Sequence, residues 1–142
     1  MEVLLAHPGG PLWARRDDHA WTIPKGEFDP SSEEPLDAAR RELAEETGAV
    51  ATGQALPLTP VRQASGKIVH AFAVEHDFDP AGAVSNKFEL EWPPRSGRMQ
   101  EYPEVDRVAW FTPEVARVKL LPAQLPLIEE LERILAADES GP

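Results

Sequence analysis

The chain has 142 residues, 42% hydrophobic and 27% charged, with a formal net charge of −11 and no cysteine. This composition suits one soluble domain with a full core, and it excludes disulfides, thiolate metal sites and a cysteine nucleophile. So acidic a surface argues against nucleic acid polymers and anionic membranes as partners, and no apolar run approaches the roughly 20 residues of a membrane span.

In chain order, residues 2–8 (EVLLAHP) read as a short buried strand ending at a turn. They lack the basic and apolar regions of a secretory signal, which together with the missing cysteines fits a cytoplasmic protein. Residues 9–20 form a long polar loop. Residues 21–24 (WTIP) read as a strand with Trp21 and Ile23 on one face, and residues 25–34 as another loop. Pro35 suits the first position of a helix running to about Thr47, and Gly48 suits its left-handed cap. Residues 54–63 and 66–78 read as two strands joined at Ser65 and Gly66, with 68–74 as a central strand. Residues 85–92 alternate like a half-buried strand, 93–104 make a long loop, and 105–111 are a strand. Thr112 and Pro113 cap a short helix. A last helix begins near Pro122, with Leu127, Ile128, Leu131, Ile134 and Leu135 as its apolar stripe. Strands and helices mixed without regular βαβ alternation predict an α/β domain, with a mixed sheet carrying packed helices.

The helix over residues 36–47 is the unusual element. At 100° per residue, Leu36, Ala39, Leu43 and Thr47 form its natural core stripe, and Glu42, Glu45 and Glu46 lie beside it. Like charges about 5 Å apart cost roughly 0.8 kcal/mol in water and about 3 kcal/mol at an effective dielectric of 20. Acids near a helix C-terminus also oppose its macrodipole. A solvated acidic face paired with Arg40 or Arg41 is the plain reading of such a charge run. A bound hard cation, magnesium or manganese, is the alternative, since the donors are all oxygen.

The run GEFDPSSEEPLDAARRELAEETGA, from Gly26 to Ala49, resembles the Nudix box. Glu33, the seven-residue gap, Arg41, Glu42, Leu43, Glu45, Glu46 and Gly48 all match that motif. It departs in having six residues between Gly26 and Glu33 instead of five, and in a small final Ala49. The resemblance implies a Nudix-type α/β/α sandwich spanning residues 1–142. It also implies a magnesium- or manganese-dependent enzyme that cleaves a diphosphate bond in a nucleoside diphosphate derivative.

Carried over residue by residue, Glu45 and Glu46 become metal ligands, Glu42 a ligand or the base acting on water, and Arg41 an orienting group. Glu33 braces the loop, although an acid favoured by the helix N-terminus is its simpler role. A carbonyl near Lys25 and Gly26 adds one metal oxygen, and Glu104 or Glu101 supplies an acid from outside the box. Lys25, Arg15 and Arg98 are the candidates for substrate phosphates. The stretch WTIPKG, residues 21–26, resembles the entry to the box in diadenosine polyphosphate hydrolases of the family. This favours dinucleoside polyphosphates or nucleoside triphosphates, damaged ones included, as substrates. Family members have a further strand before the one that begins here at Glu2. Its absence would leave an edge open to a partner or a second copy, as in a homodimer. The competing functions are a nucleotide or metabolite sensor on the same fold and an acidic interaction module without metal.

Overall fold

The computed structural model describes residues 1–25 and 31–139. In chain order the elements are β1 (Val3–Pro8), α1 (Pro35–Thr47), β2 (Ala55–Pro57), β3 (Val61–Arg62), β4 (Ile68–Val69), β5 (Phe72–Val74), β6 (Lys87–Glu91), β7 (Met99–Pro103), β8 (Val105–Phe111), α2 (Pro113–Lys119) and α3 (Leu125–Glu139). The result is a mixed α/β fold. Its strands pair antiparallel as β1–β8, β2–β5, β3–β4 and β6–β7.

The β1–β8 ladder is the centre of the molecule. Side chains alternate across it. Val3 and Leu5, opposite Phe111 and Ala109, face a core completed by Trp21, Ala116, Leu120 and Ile128. That core exists because α2 and α3 lay their apolar stripes against this face. Thr112 starts α2 by accepting from Val115 N, and Pro113 needs no partner for its nitrogen. Leu4, Ala6, Val108 and Trp110 turn to the second face, where α1 reaches β8 and Trp110 Nε1 donates to Phe78 O at 2.8 Å. A cleft of about 2010 Å³ opens beside this face, bordered by Leu4, Leu36, Leu43, Phe72, Trp110 and Leu131.

Four expectations change. The strand expected at residues 21–24 reduces to two bridges. Thr22 exchanges both backbone hydrogen bonds with Ala6 (2.8 and 2.9 Å), and Trp21 pairs in parallel with Leu120. Pro24, which has no N–H to donate, ends it there, and the Trp21 bridge is an isolated one, to the residue that caps α2. The central strand expected at 68–74 is two short strands, and Ile68 is 46% exposed. Pro57 and Pro60 on the opposing segment donate no N–H, so the ladder breaks between them and Leu58 N alone reaches across, to Ala71 O. Within the loop expected at 93–104, Met99–Pro103 is a strand in register with β6, Glu89 opposite Glu101. Finally, α1 buries Ala38, Glu42 and Thr47 most deeply, while Leu36 and Leu43 are half-buried along the cleft. The helix is rotated so that one of its acids, Glu42, faces inward.

Candidate active site

α1 is fixed at both ends. Pro35 opens it after an extended Glu34, and Gly48, at φ 82°, closes it with its N–H on Ala44 O at 2.8 Å. Its last turn holds no basic residue. The terminal carbonyls accept backbone amides instead: Val84 N donates to Thr47 O and Asn86 N to Glu45 O, both at 3.0 Å. Glu104 N then donates to Asn86 O at 2.7 Å, which brings the start of β8 to the acidic end of the helix. The negative end of the helix dipole therefore meets acids with no cationic side chain in the same turn.

Arg41 organises half of the cluster. It grips Glu33 with two hydrogen bonds, Nε to Oε2 at 2.8 Å and Nη2 to Oε1 at 2.9 Å. The same guanidinium reaches Glu42 at 3.0 Å and Glu45 at 3.1 Å. The bond to Arg41 holds the Glu33 carboxyl below its usual range, and Glu33 in turn keeps Arg41 firmly protonated. Bidentate pairing of this kind fixes direction as well as charge. Arg41 is thus the partner of Glu33.

The rest of the cluster is only partly compensated. Glu42 is 8% exposed, and burial raises its pKa while Arg41 pulls it back. Glu46 is pushed up to about 7, first by burial, then by the Glu104 and Glu42 carboxylates, with the Lys25 ammonium partly offsetting them. Glu46 and Glu104 have no ion pair with another described residue. Among the described residues, no three carboxylates or imidazoles gather closely enough to enclose a metal ion. Arg41 holds Glu45 on the side of Glu33, at 3.1 Å. The donor set still fits a hard divalent cation: it is all oxygen, and Lys25 only partly offsets the acids around Glu46.

The remaining candidates divide. Lys25 lies close enough to Glu46 to act on its charge. Glu101 pairs with Lys87 at 3.3 Å on the β6–β7 hairpin, so Glu104 is the outer acid that joins the cluster. Arg15 is exposed and makes no ion pair with a described residue. Arg98 lies at the turn of the hairpin, with the five residues of β7 between it and Glu104, a run of about 20 Å. The structure therefore does not bring Arg98 to the cluster. Gly26 lies outside the described residues.

Two features escaped the sequence reading. His7 is fully buried, with Nδ1 bonded to Asp106 Oδ1 at 2.7 Å and Nε2 to Arg16 O at 2.6 Å. No local spacing links those residues. The loop after β1, read only as polar, folds back onto the β6–β7 hairpin, with Gly9 N donating to Glu104 O at 3.0 Å. The paired glycines at 9 and 10 were the signal for such a close approach.

Comparison with known proteins agrees with this geometry. Over 30 residues, the chain is 67% identical to an RNA pyrophosphohydrolase of Bartonella henselae; the match takes in 21% of this chain and 17% of that protein. The solution structure of the E. coli ORF135 protein superposes with a TM-score of 0.60 at 28% identity, covering 99% of this chain and 86% of that one. The NUDIX domain of Shewanella oneidensis NrtR, solved with ADP ribose, gives a TM-score of 0.60 at 22% identity over 94% of this chain and 77% of that one, a likeness of fold. The NUDIX domain model matches residues 2–131, and the chain belongs to that family.

Proposed function

We propose that the protein is a divalent-metal-dependent pyrophosphohydrolase acting in the cytoplasm on nucleoside diphosphate derivatives, dinucleoside polyphosphates or nucleoside triphosphates first among them. The observation that carries the proposal is the placement of Glu42, Glu45 and Glu46 on one helix, with Arg41 tying Glu33, Glu42 and Glu45 and backbone bonds bringing Glu104 to the same end; the raised pKa of Glu46 agrees with it. A group held so unfavourably is a stored affinity for a cation. Glu46, Glu45, Glu42 and Glu104 are the ligand set for magnesium or manganese, with the Gly26 carbonyl as a further donor. The ion, when bound, neutralises the diphosphate and lowers the pKa of water. Arg41 holds Glu45 and Glu33 in place, and Lys25 meets a phosphate oxygen. Glu42, buried and steadied by Arg41, accepts the proton of the attacking water. The edge of β1 away from β8 is closed at Ala6 by Thr22, so an added strand from a second copy would pair with the start of β1, around Leu4.

The Arg41–Glu45 pair favours one rival, a sensor that binds a nucleotide without cleaving it. A hydrolysis panel with magnesium separates the two. It should contain dinucleoside polyphosphates, nucleoside triphosphates, ADP-ribose and a 5′-triphosphate RNA oligonucleotide, with products identified by mass. The parent should cleave at least one nucleotide, and Glu45→Gln should fold normally and lose about 100-fold or more in turnover. Equal turnover by the variant, or binding without cleavage in both magnesium and manganese, would overturn the proposal. The RNA arm tests whether the 30-residue relative shares its substrate, against the charge of −11.

A further inference from the structure

The loop leaving β1 builds a second concavity beside the acids. Gly9 and Gly10 let it lie flat on the β6–β7 hairpin. A Cβ at Gly9 would sit 1.9 Å from the Pro103 carbonyl oxygen, and Gly10, at φ 96°, would place one 3.0 Å from the Phe88 ring. Loop and hairpin together enclose an open pocket of about 230 Å³, bordered by Gly10, Leu12, Trp13, Phe88, Leu90 and Glu104. Among the described residues its lining is mainly apolar and includes no lysine or arginine. Both aromatic walls are supported from outside the lining. The Arg16 guanidinium lies 5.3 Å from the centroid of Trp13, and the Tyr102 ring 6.0 Å from that of Phe88. Glu104 belongs to this pocket and also to the acidic cluster, whose backbone it joins through Asn86.

We propose that this pocket takes the nucleobase of the substrate against Trp13 and Phe88, so that the diphosphate runs past Glu104 towards Glu46. The substrate class rests on the pyrophosphohydrolase reading, and the pocket extends it by fixing which end of the substrate lies where. Aromatic side chains hold bases by stacking, which tolerates different bases because each presents a π face. A mainly apolar lining without a cation among the described residues suits the uncharged flat end better than phosphate. The loop holding Trp13 is thereby a specificity element, separate from the helix that would hold the metal.

The test needs no turnover. Four tryptophans give four indole N–H resonances in a ¹H–¹⁵N spectrum, and Trp13→Phe assigns one of them. The metal-free protein is titrated with adenosine or guanosine and, separately, with ribose. A purine nucleoside should move the Trp13 resonance saturably, and ribose should not. Phe88→Leu should raise the nucleoside Kd read at the Trp13 resonance about tenfold, and Trp13→Ala should raise the Kd read by calorimetry by as much. A Trp13 resonance unmoved by either nucleoside, or moved equally by ribose, overturns the pocket. Nucleoside binding at Trp13 in a protein that cleaves nothing would remove the hydrolase reading and leave the pocket standing. Cleavage with a silent Trp13 would remove the pocket alone.

Discussion

Replacing Glu46 with glutamine should make the metal-free protein more stable, and more so as pH rises. The Glu46 carboxyl is pushed from its ordinary 4.5 up to about 7 by burial, Glu104 and Glu42. Unfolding returns it to about 4.5. Between pH 4.5 and about 7 the folded state therefore binds the extra proton, and stability falls as pH rises through that window. At 1.36 kcal/mol per pH unit the ceiling is about 3.4 kcal/mol. Glu46 is only half-buried, so solvent screening reduces this to roughly 1–2 kcal/mol. Urea unfolding in EDTA should show Glu46→Gln and parent close together near pH 4.5 and separated by that amount at pH 8. In thermal melts the gap would be about 3–6 °C. Millimolar magnesium at pH 8 should stabilise the parent more than the variant. Parallel stability curves for the two proteins from pH 4.5 to 8 in EDTA would refute the reasoning, because the proposed repulsion would then be absent.

Two further pairs of changes probe the framework. Arg41→Lys keeps the charge but loses the fork that holds Glu33 at 2.8 and 2.9 Å. It should cut kcat about tenfold, as should Glu33→Gln, and the double variant should be little worse than either. Gly9→Ala drives a Cβ into the Pro103 carbonyl and should cost about 2–4 kcal/mol in urea unfolding. Gly66→Ala, at φ 91° with nothing within 4 Å, should cost only about 1 kcal/mol.

The acidic helix was legible because its signals are local. Pro35, Gly48 and the spacing from Glu33 to Glu46 lie within one short run, and the helix begins and ends where those residues place it. Which face it buries was not legible. The wheel gives angles, but the inward turn of Glu42 depends on how α1 meets β8 and on the cleft that leaves Leu36 and Leu43 half-covered. Strand β7 was hidden for a similar reason. Met99–Pro103 has an exposed, polar pattern, and only its register with Lys87–Glu91 makes it a strand. Arg98 looked available for phosphate because the sequence cannot say that a hairpin carries it away from Glu104. The His7–Asp106 bond joins two strands from opposite ends of the chain and has no local signature at all.

The backbone bonds that run from Gly9 to Glu104, from Glu104 to Asn86, and from Asn86 to Glu45 have a kinetic consequence. Each joins segments far apart in sequence, so each carries a loop-closure cost that local helix formation does not. Residues 35–47 can coil early from their own caps. Their carbonyl end, however, is closed only after the first loop, the β6–β7 hairpin and the start of β8 have met. The acids thus come under strain late in folding, when the rest of the molecule is already in place to bear it.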